Sequence, residues 1–109
     1  MNYPNLERLI EIIDILRSEN GCKWDREQTH ATLRRNMLEE AYEAVDAIDD
    51  NDMKHLNEEL GDVLWYIAEA CDCFGFSLEE VEKGNIEKLA KNPLTRKIAL
   101  DIISQCEFP

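Results

Sequence analysis

The chain has 109 residues, enough for one hydrophobic core, and 44% of them are apolar. Its formal net charge of −12 argues against duplex nucleic acid and membrane surfaces as partners, because basic patches usually hold both. No apolar run is long enough to cross a bilayer, the first residues do not resemble a signal peptide, and the four cysteines include no Cys-x-x-Cys pair. We therefore expect a cytoplasmic protein with a single domain over residues 1–109.

The first third of the chain predicts one long helix followed by a short one. Apolar residues recur at helical spacing after Pro4, and the helix is expected to end near Gly21. Asp25 and Gln28 are three residues apart, as in a capping box. This spacing predicts a short helical turn after Trp24.

Two longer helices follow, joined by an acidic turn at residues 49–52. The first is expected from about Thr32 to Asp49, and the second is expected to end at Gly75. Because the connection is short, the helices should be antiparallel neighbours. The residues predicted to be buried are Leu33, Met37, Ala41, Ala44 and Ile48 on the first, and Met53, Leu56, Leu60, Val63, Leu64, Ile67 and Cys71 on the second.

A fourth helix is predicted from a cap at Ser77 to about Lys91, where Asn92-Pro93 breaks it and a short final helix begins. The sequence therefore predicts an all-α, four-helix-bundle-like fold with short extra helices.

Four acidic residues in the two central helices form the main functional candidate. Glu40 with Glu43, and Glu59 with Asp62, are each three residues apart, so each pair lies on neighbouring turns of its helix. Antiparallel packing would bring the four carboxylates together, where they would repel one another unless a cation bound them. Mg²⁺ and Mn²⁺ prefer such oxygen ligands and often bind substrate phosphates as well. We expect a Mg²⁺-dependent enzyme that acts on a phosphate compound.

Several motifs support a closer assignment. Residues 21–30 read GCKWDREQTH, residues 38–43 read LEEAYE, residues 58–64 read EELGDVL, and residues 85–89 read NIEKL. In order and spacing these resemble the MazG family of all-α nucleoside triphosphate pyrophosphohydrolases, over roughly residues 6–93. Lys23 departs from the Pro that this family usually has there, and the tail at 94–109 is not a familiar extension.

The resemblance implies Mg²⁺-dependent hydrolysis of nucleoside triphosphates, including non-standard ones, to the monophosphate and pyrophosphate. It also implies roles for individual residues. The metal ligands would be Glu40, Glu43, Glu59 and Asp62, and Glu39 would orient water. Asn85 and Lys88 would lie near the phosphates, and Lys88 would stabilise the departing pyrophosphate. Trp24 and Tyr66 would contact the base or sugar.

Family members associate so that neighbouring chains complete the bundle, and a chain of this size has a limited core. We therefore expect a homodimer or homotetramer.

Two other functions remain open. One is a non-catalytic acidic module that binds nucleotide or a partner, since a fold can keep a site and lose its reaction. The other is a di-iron carboxylate bundle, because Glu27 and His30 have the Glu-x-x-His spacing of such sites.

Overall fold

The computed structural model describes residues 3–106, and every regular element in that part is an α-helix, which confirms the predicted fold class. None of these helices is long and apolar enough to cross a membrane. The chain forms two compact units, Met1–Gly75 and Phe76–Pro109; the single domain over residues 1–109 stays a prediction. The helices are α1 (Pro4–Leu16), α2 (Lys23–Arg26), α3 (His30–Asp49), α4 (Met53–Phe74), α5 (Leu78–Lys91) and α6 (Arg96–Cys106).

The first unit is built on the predicted antiparallel pair, α3 and α4. A three-residue turn joins them, with Asn51 in the left-handed region at φ 54°. Asp52 then caps α4, because its Oδ1 accepts a hydrogen bond from the His55 amide at 3.1 Å. The acidic turn thus acts as the predicted helix stop and restart.

Small side chains of α3 lie on the side of that helix that carries Glu40. Ala44 and Ala47 are buried there, together with Leu33, which is fully inaccessible to solvent. Alanines let two helix backbones approach closely. This close approach also brings the acidic side chains of the two helices near each other.

The predicted buried stripes are only partly correct. On α3, Met37, Ala41 and Ile48 are exposed, and on α4 the exposed ones are Met53, Leu60 and Leu64. The apolar arc of each helix is wider than one helix–helix contact can cover, so only its edge nearest the partner helix is buried. The remainder forms an outer apolar face, which we define as Met37, Leu38, Val45 and Ile48 on α3 with Met53, Leu60, Leu64 and Phe74 on α4.

The end of α1 differs from the prediction, since α1 stops at Leu16 rather than near Gly21. The chain turns back there, and the Cys22 amide donates a hydrogen bond to the Leu16 carbonyl at 2.9 Å. A Cβ atom on Gly21 would collide with the carbonyl oxygens of Ile15 and Leu16. Gly21 is therefore required inside this turn, and not as a simple helix stop.

The predicted capping box at Asp25 is also wrong. Asp25 lies inside α2 and is buried, and Cys22 is the residue before the helix. The capping box belongs to α3 instead, where the Thr32 hydroxyl accepts from the Thr29 amide at 2.9 Å and the Thr29 hydroxyl accepts from the Thr32 amide at 3.3 Å. Threonines three apart can do what Asp with Gln was expected to do.

The second unit is a helical hairpin of α5 and α6. Ser77 Oγ accepts from the Glu80 amide at 3.0 Å, so the predicted cap is confirmed. The chain breaks at Asn92-Pro93, and Thr95 Oγ1 donates to the Leu89 carbonyl across the break. The final helix begins at Arg96; of the predicted tail, residues 107–109 lie outside the described part.

An ionic cluster centred on the buried Glu69 joins α1, α2 and α4, and we define it as Arg17, Asp25, Trp65, Glu69 and Asp72. The side chain of Glu69 has no solvent-accessible surface; it accepts from Trp65 Nε1 at 2.7 Å and lies 3.4 Å from Arg17 Nη1. Burial is the largest cause that raises the pKa of Glu69, and the charge of Asp25 adds to it, while the bonds from Trp65 and Arg17 oppose it.

Replacing Gly21 by Ala should destabilise the first unit. The added Cβ must displace backbone carbonyls, for which we expect a loss of about 1–3 kcal/mol in the free energy of unfolding. Gly61→Ala is the matched control, because no atom lies within 4 Å of the Cβ in that helical position, and it should gain about 0.5–1 kcal/mol. Urea unfolding measures both. Equal effects of the two substitutions would contradict this account of the turn.

Burial of Glu69 should also make stability depend on pH. The unfolded chain releases this proton near the ordinary pKa of 4.5, whereas the folded protein keeps it to higher pH, so the free energy of unfolding falls as pH rises through that window. Glu69→Gln should remove a slope of at most about 1.4 kcal/mol per pH unit. Urea unfolding between about pH 5 and pH 7 tests this, with Glu58→Gln as a surface control on α4. Identical slopes for wild type and Glu69→Gln would refute it.

Candidate metal centre

Three of the four predicted metal ligands meet where α3 packs against α4. Glu40, Glu43 and Glu59 each place one carboxylate oxygen within 4.8 Å of the other two. Glu59 is 7% exposed, Glu40 is half-buried and Glu43 is exposed, so the group runs from the helix contact to the surface. The three-residue spacing on α3 and the packing of α3 against α4 therefore produce the predicted convergence. We call these three residues the carboxylate triad.

Close approach within the triad raises the pKa values of two of its carboxyl groups. The pKa of Glu59 is raised, first because its carboxyl lies beside that of Glu40, with which it can share a proton, and second by burial. The pKa of Glu43 is raised because its carboxyl approaches that of Glu59 closely enough to share a proton, and because the charge of Glu59 repels its own. Glu40 thus makes ionisation of Glu59 less favourable, and Glu59 makes ionisation of Glu43 less favourable, whereas the hydrogen bond with Glu43 lowers the pKa of Glu59.

Two oxygens of the triad fit a cation ligand set. Glu40 Oε2 and Glu59 Oε2 are buried, and no hydrogen-bond donor among the described residues reaches either of them. A buried carboxylate oxygen without a donor is uncommon in native proteins. Carboxylate oxygens are also the ligands that Mg²⁺ and Mn²⁺ prefer. The residues present therefore suit a hard divalent ion.

Asp62, the fourth predicted ligand, is exposed on α4 one turn beyond Glu59. Its negative charge is among the smaller causes that raise the pKa values of Glu43 and Glu59, so it lies beside the triad. It is not part of the group whose oxygens lie within 4.8 Å of one another. Its role as a ligand stays a prediction.

His55 adjoins the triad, although the sequence analysis gave it no role there. Its Nε2 lies 3.4 Å from Glu59 Oε1, and its side chain is about half exposed. The available signal was its position four residues before Glu59, which places both on one side of α4. His55 therefore supplies a polar neighbour for one Glu59 oxygen.

Tyr66 lies between the triad and the ionic cluster. It is half-buried, and burial is the main reason that its pKa is raised. The charges of Glu40, on the triad, and of Glu69, in the ionic cluster, are the next two causes. Tyr66 is thus near enough to both groups to feel their charges, which suits its predicted place beside a substrate.

The other predicted site residues are on the surface. Trp24 is 52% exposed on α2, and Glu39 is exposed on α3, near enough to Tyr66 to contribute to its raised pKa after burial and other charges. Asn85 and Lys88 are exposed on α5, in the second unit. Their substrate contacts stay predictions.

The Glu-x-x-His pair expected for a di-iron site does not form a metal group in the described part of the chain. Glu27 follows α2, and His30 begins α3. The His30 ring stacks on Phe74, with ring centroids 4.0 Å apart and an interplanar angle of 19°. His30 is therefore occupied by an aromatic contact.

Known proteins match most of this chain. Protein YabN of Bacillus subtilis, whose printed description is uncharacterized, is 42% identical over 93 residues, which cover 82% of this chain and 19% of YabN. The nucleoside triphosphate pyrophosphohydrolase/pyrophosphatase MazG of Thermotoga maritima is 40% identical over 89 residues, covering 78% of this chain and 35% of that protein. The nucleoside triphosphate pyrophosphohydrolase of Escherichia coli is 49% identical over 63 residues, covering 57% and 24%.

The chain spans only about a fifth to a third of the length of these three relatives. The model of the MazG nucleotide pyrophosphohydrolase domain matches residues 28–93, more than half of the chain. That region contains all three residues of the triad and the neighbouring Asp62. The chain therefore belongs to the MazG family of nucleotide pyrophosphohydrolase domains.

Proposed function

We propose that this chain hydrolyses nucleoside triphosphates to the monophosphate and pyrophosphate at the carboxylate triad, with Mg²⁺ as the metal and Mn²⁺ as a possible substitute. The observation that carries the proposal is the pair of buried oxygens, on Glu40 and Glu59, that no described donor satisfies. Membership of the MazG family supports the substrate class. So do the relatives from Thermotoga maritima and Escherichia coli, whose names state this activity.

In this proposal most of the acidic residues hold the ion and one orients water. Glu40, Glu43 and Glu59 hold the ion, with Asp62 beside them as a fourth ligand. The bound ion would neutralise triphosphate charge and make a coordinated water more acidic. Glu39, exposed one residue before Glu40, orients the attacking water. In-line attack then needs little further chemistry from the protein beyond positioning and charge compensation.

The rest of the substrate is assigned to the remaining predicted residues. Lys88 compensates charge on the departing pyrophosphate and Asn85 binds a phosphate oxygen; both are exposed on α5. Tyr66, which feels the charges of Glu40 and Glu69, contacts the sugar or base, and Trp24 contacts the base. Because the chain has a net charge of −12, its overall charge repels a triphosphate, and these few groups and the metal would have to supply the attraction.

Glu59→Gln should lower pyrophosphate release by more than about 100-fold, because it removes a buried ligand. Glu58→Gln is the matched control, since Glu58 is an exposed neighbour on the same helix, and it should retain activity. The assay uses purified protein, Mg²⁺ and a panel of normal and modified triphosphates. In parallel, Mg²⁺ or Mn²⁺ should raise the melting temperature of wild type and Glu58→Gln but not of Glu59→Gln.

The outcomes of this assay separate the possible functions. Wild-type protein that binds triphosphate but releases no pyrophosphate would be a nucleotide-binding module, and the hydrolase proposal would be wrong. Bound iron with no pyrophosphate release would favour the di-iron alternative. Equal activity of Glu59→Gln and Glu58→Gln would remove the triad from the mechanism.

We also propose that the outer apolar face is covered by a second copy of this chain. At about 100° per residue, its members on both helices lie on the side of the hairpin away from Glu43 and Asp62. Leu38, Val45 and Ile48 are each at least half exposed in the single chain, as are Met53 and Leu60. A contiguous apolar face of this kind marks an association surface, and two such hairpins would complete a four-helix bundle.

Charged substitutions on this face should weaken association. Leu38→Glu combined with Leu64→Glu places two carboxylates where apolar contact is proposed, and should shift a dimer or tetramer to monomer in sedimentation experiments. Leu94→Glu is the control, because Leu94 is 89% exposed and lies outside this face. A wild-type monomer, or a variant that associates as wild type does, would contradict the proposal.

A further inference from the structure

The Arg17 guanidinium connects three separate parts of the first unit. It lies at the end of α1, and its Nε donates to Asp72 Oδ2 on α4 at 2.8 Å. Its Nη1 donates to the main-chain carbonyl of Asp25 on α2 at 2.9 Å and also lies 3.4 Å from Glu69 Oε1. The Arg17 side chain is only 13% exposed. A planar guanidinium can make these contacts at once, whereas a lysine ammonium cannot reproduce their geometry.

The contact with Asp25 matters because α2 has only four residues. A helix of one turn has no stability of its own, so its position depends on bonds to neighbouring elements. Two such bonds are made with the end of α1. The amide of Cys22, the residue before α2, donates to the Leu16 carbonyl, and Arg17 donates to the Asp25 carbonyl. The Arg17 bond is charge-assisted and partly buried, which makes it the stronger kind.

The cluster around Arg17 also adjoins the candidate site. Glu69 and the triad member Glu40 both act on Tyr66. Trp24 immediately precedes Asp25, whose carbonyl Arg17 binds. Contacts therefore run from α2 through Arg17 to Glu69, and the charge of Glu69 acts on Tyr66, as does that of Glu40.

From this geometry we infer that Arg17 is a positioning residue, which holds α2, and with it Trp24, in place relative to the carboxylate triad. Arg17 itself contacts neither metal nor substrate. Its effect is on the affinity for the nucleoside part of the substrate, while the carboxylates carry the chemistry. This inference rests on the proposed function, because it assigns Trp24 to the base.

The test needs a variant that keeps the fold. Arg17→Ala alone would leave Glu69 buried without its cation, which is strongly destabilising. Arg17→Met combined with Glu69→Gln removes both charges and keeps an amide oxygen to accept from Trp65 Nε1. Arg8→Met is the matched control, because Arg8 lies on α1 and its one described side-chain hydrogen bond is to exposed Asn5. Circular dichroism and thermal melting confirm that each variant is folded.

The first readout is the rate of tryptic cleavage after Lys23 and Arg26, followed by mass spectrometry on full-length protein without nucleotide. Both residues are exposed in α2, so cleavage there reports how often α2 opens. We expect the double variant to be cleaved about tenfold faster at these two bonds, with unchanged rates at Lys54 on α4. A general loss of stability would raise all of these rates together.

The second readout separates KM from kcat with the triphosphate that wild type hydrolyses fastest. The double variant should raise KM about tenfold and leave kcat within about twofold, since binding to the nucleoside is lost and the carboxylates are unchanged. Arg8→Met should behave as wild type in both readouts. Dissociation constants for a non-hydrolysable triphosphate, measured by calorimetry, should follow KM.

Unchanged cleavage after Lys23 and Arg26 would overturn the inference, as would a fall in kcat at constant KM. If wild type binds nucleotide without hydrolysing it, the hydrolase proposal fails while the calorimetric comparison still tests Arg17. If wild type binds no nucleotide, both proposals fail.

Discussion

Mutual repulsion of carboxylates held against a helix contact is the constraint on which the rest of this structure depends. Ala44 and Ala47 let α3 approach α4 closely, and the same approach places Glu59 in a buried position beside Glu40. Glu40 raises the pKa of Glu59, and Glu59 raises that of Glu43, so a bound proton or cation would reduce the repulsion between them. The packing that stabilises the hairpin therefore also brings these carboxyl groups close enough to repel one another.

The first unit contains two buried acidic sites, and they differ in their hydrogen-bond and ion-pair partners. Glu69 accepts from Trp65 and pairs with Arg17, so the fold itself satisfies its charge. In the triad, the one ion pair found among the described residues is between Glu59 and His55, which is charged only when protonated, and two buried oxygens receive no donor. Glu69 thus helps to hold the fold, whereas the triad keeps two buried oxygens that would suit a cation.

The sequence predicted what local chemistry determines. Pro4, Asp52, Ser77 and Gly75 mark helix ends as expected, and the three-residue spacing of Glu40 and Glu43 predicted their convergence with Glu59. It did not predict which edge of a wide apolar arc faces the partner helix. The apolar residues have the same spacing along the sequence whichever edge is buried. It also did not predict the Arg17–Glu69 pair, whose members are 52 residues apart, because such a contact depends on how α1 packs against α4.

The two faces of the α3–α4 hairpin can serve separate purposes because they are physically separate. Glu43 and Asp62 lie to one side of the helix contact, with Tyr66 and the ionic cluster beyond them, whereas the outer apolar face lies on the other side. A second chain can cover the apolar residues without displacing a carboxylate. Burying that face would also stiffen α3 and α4, whose spacing sets the distances within the triad. Association would then favour metal binding even if the second chain contributed no ligand of its own.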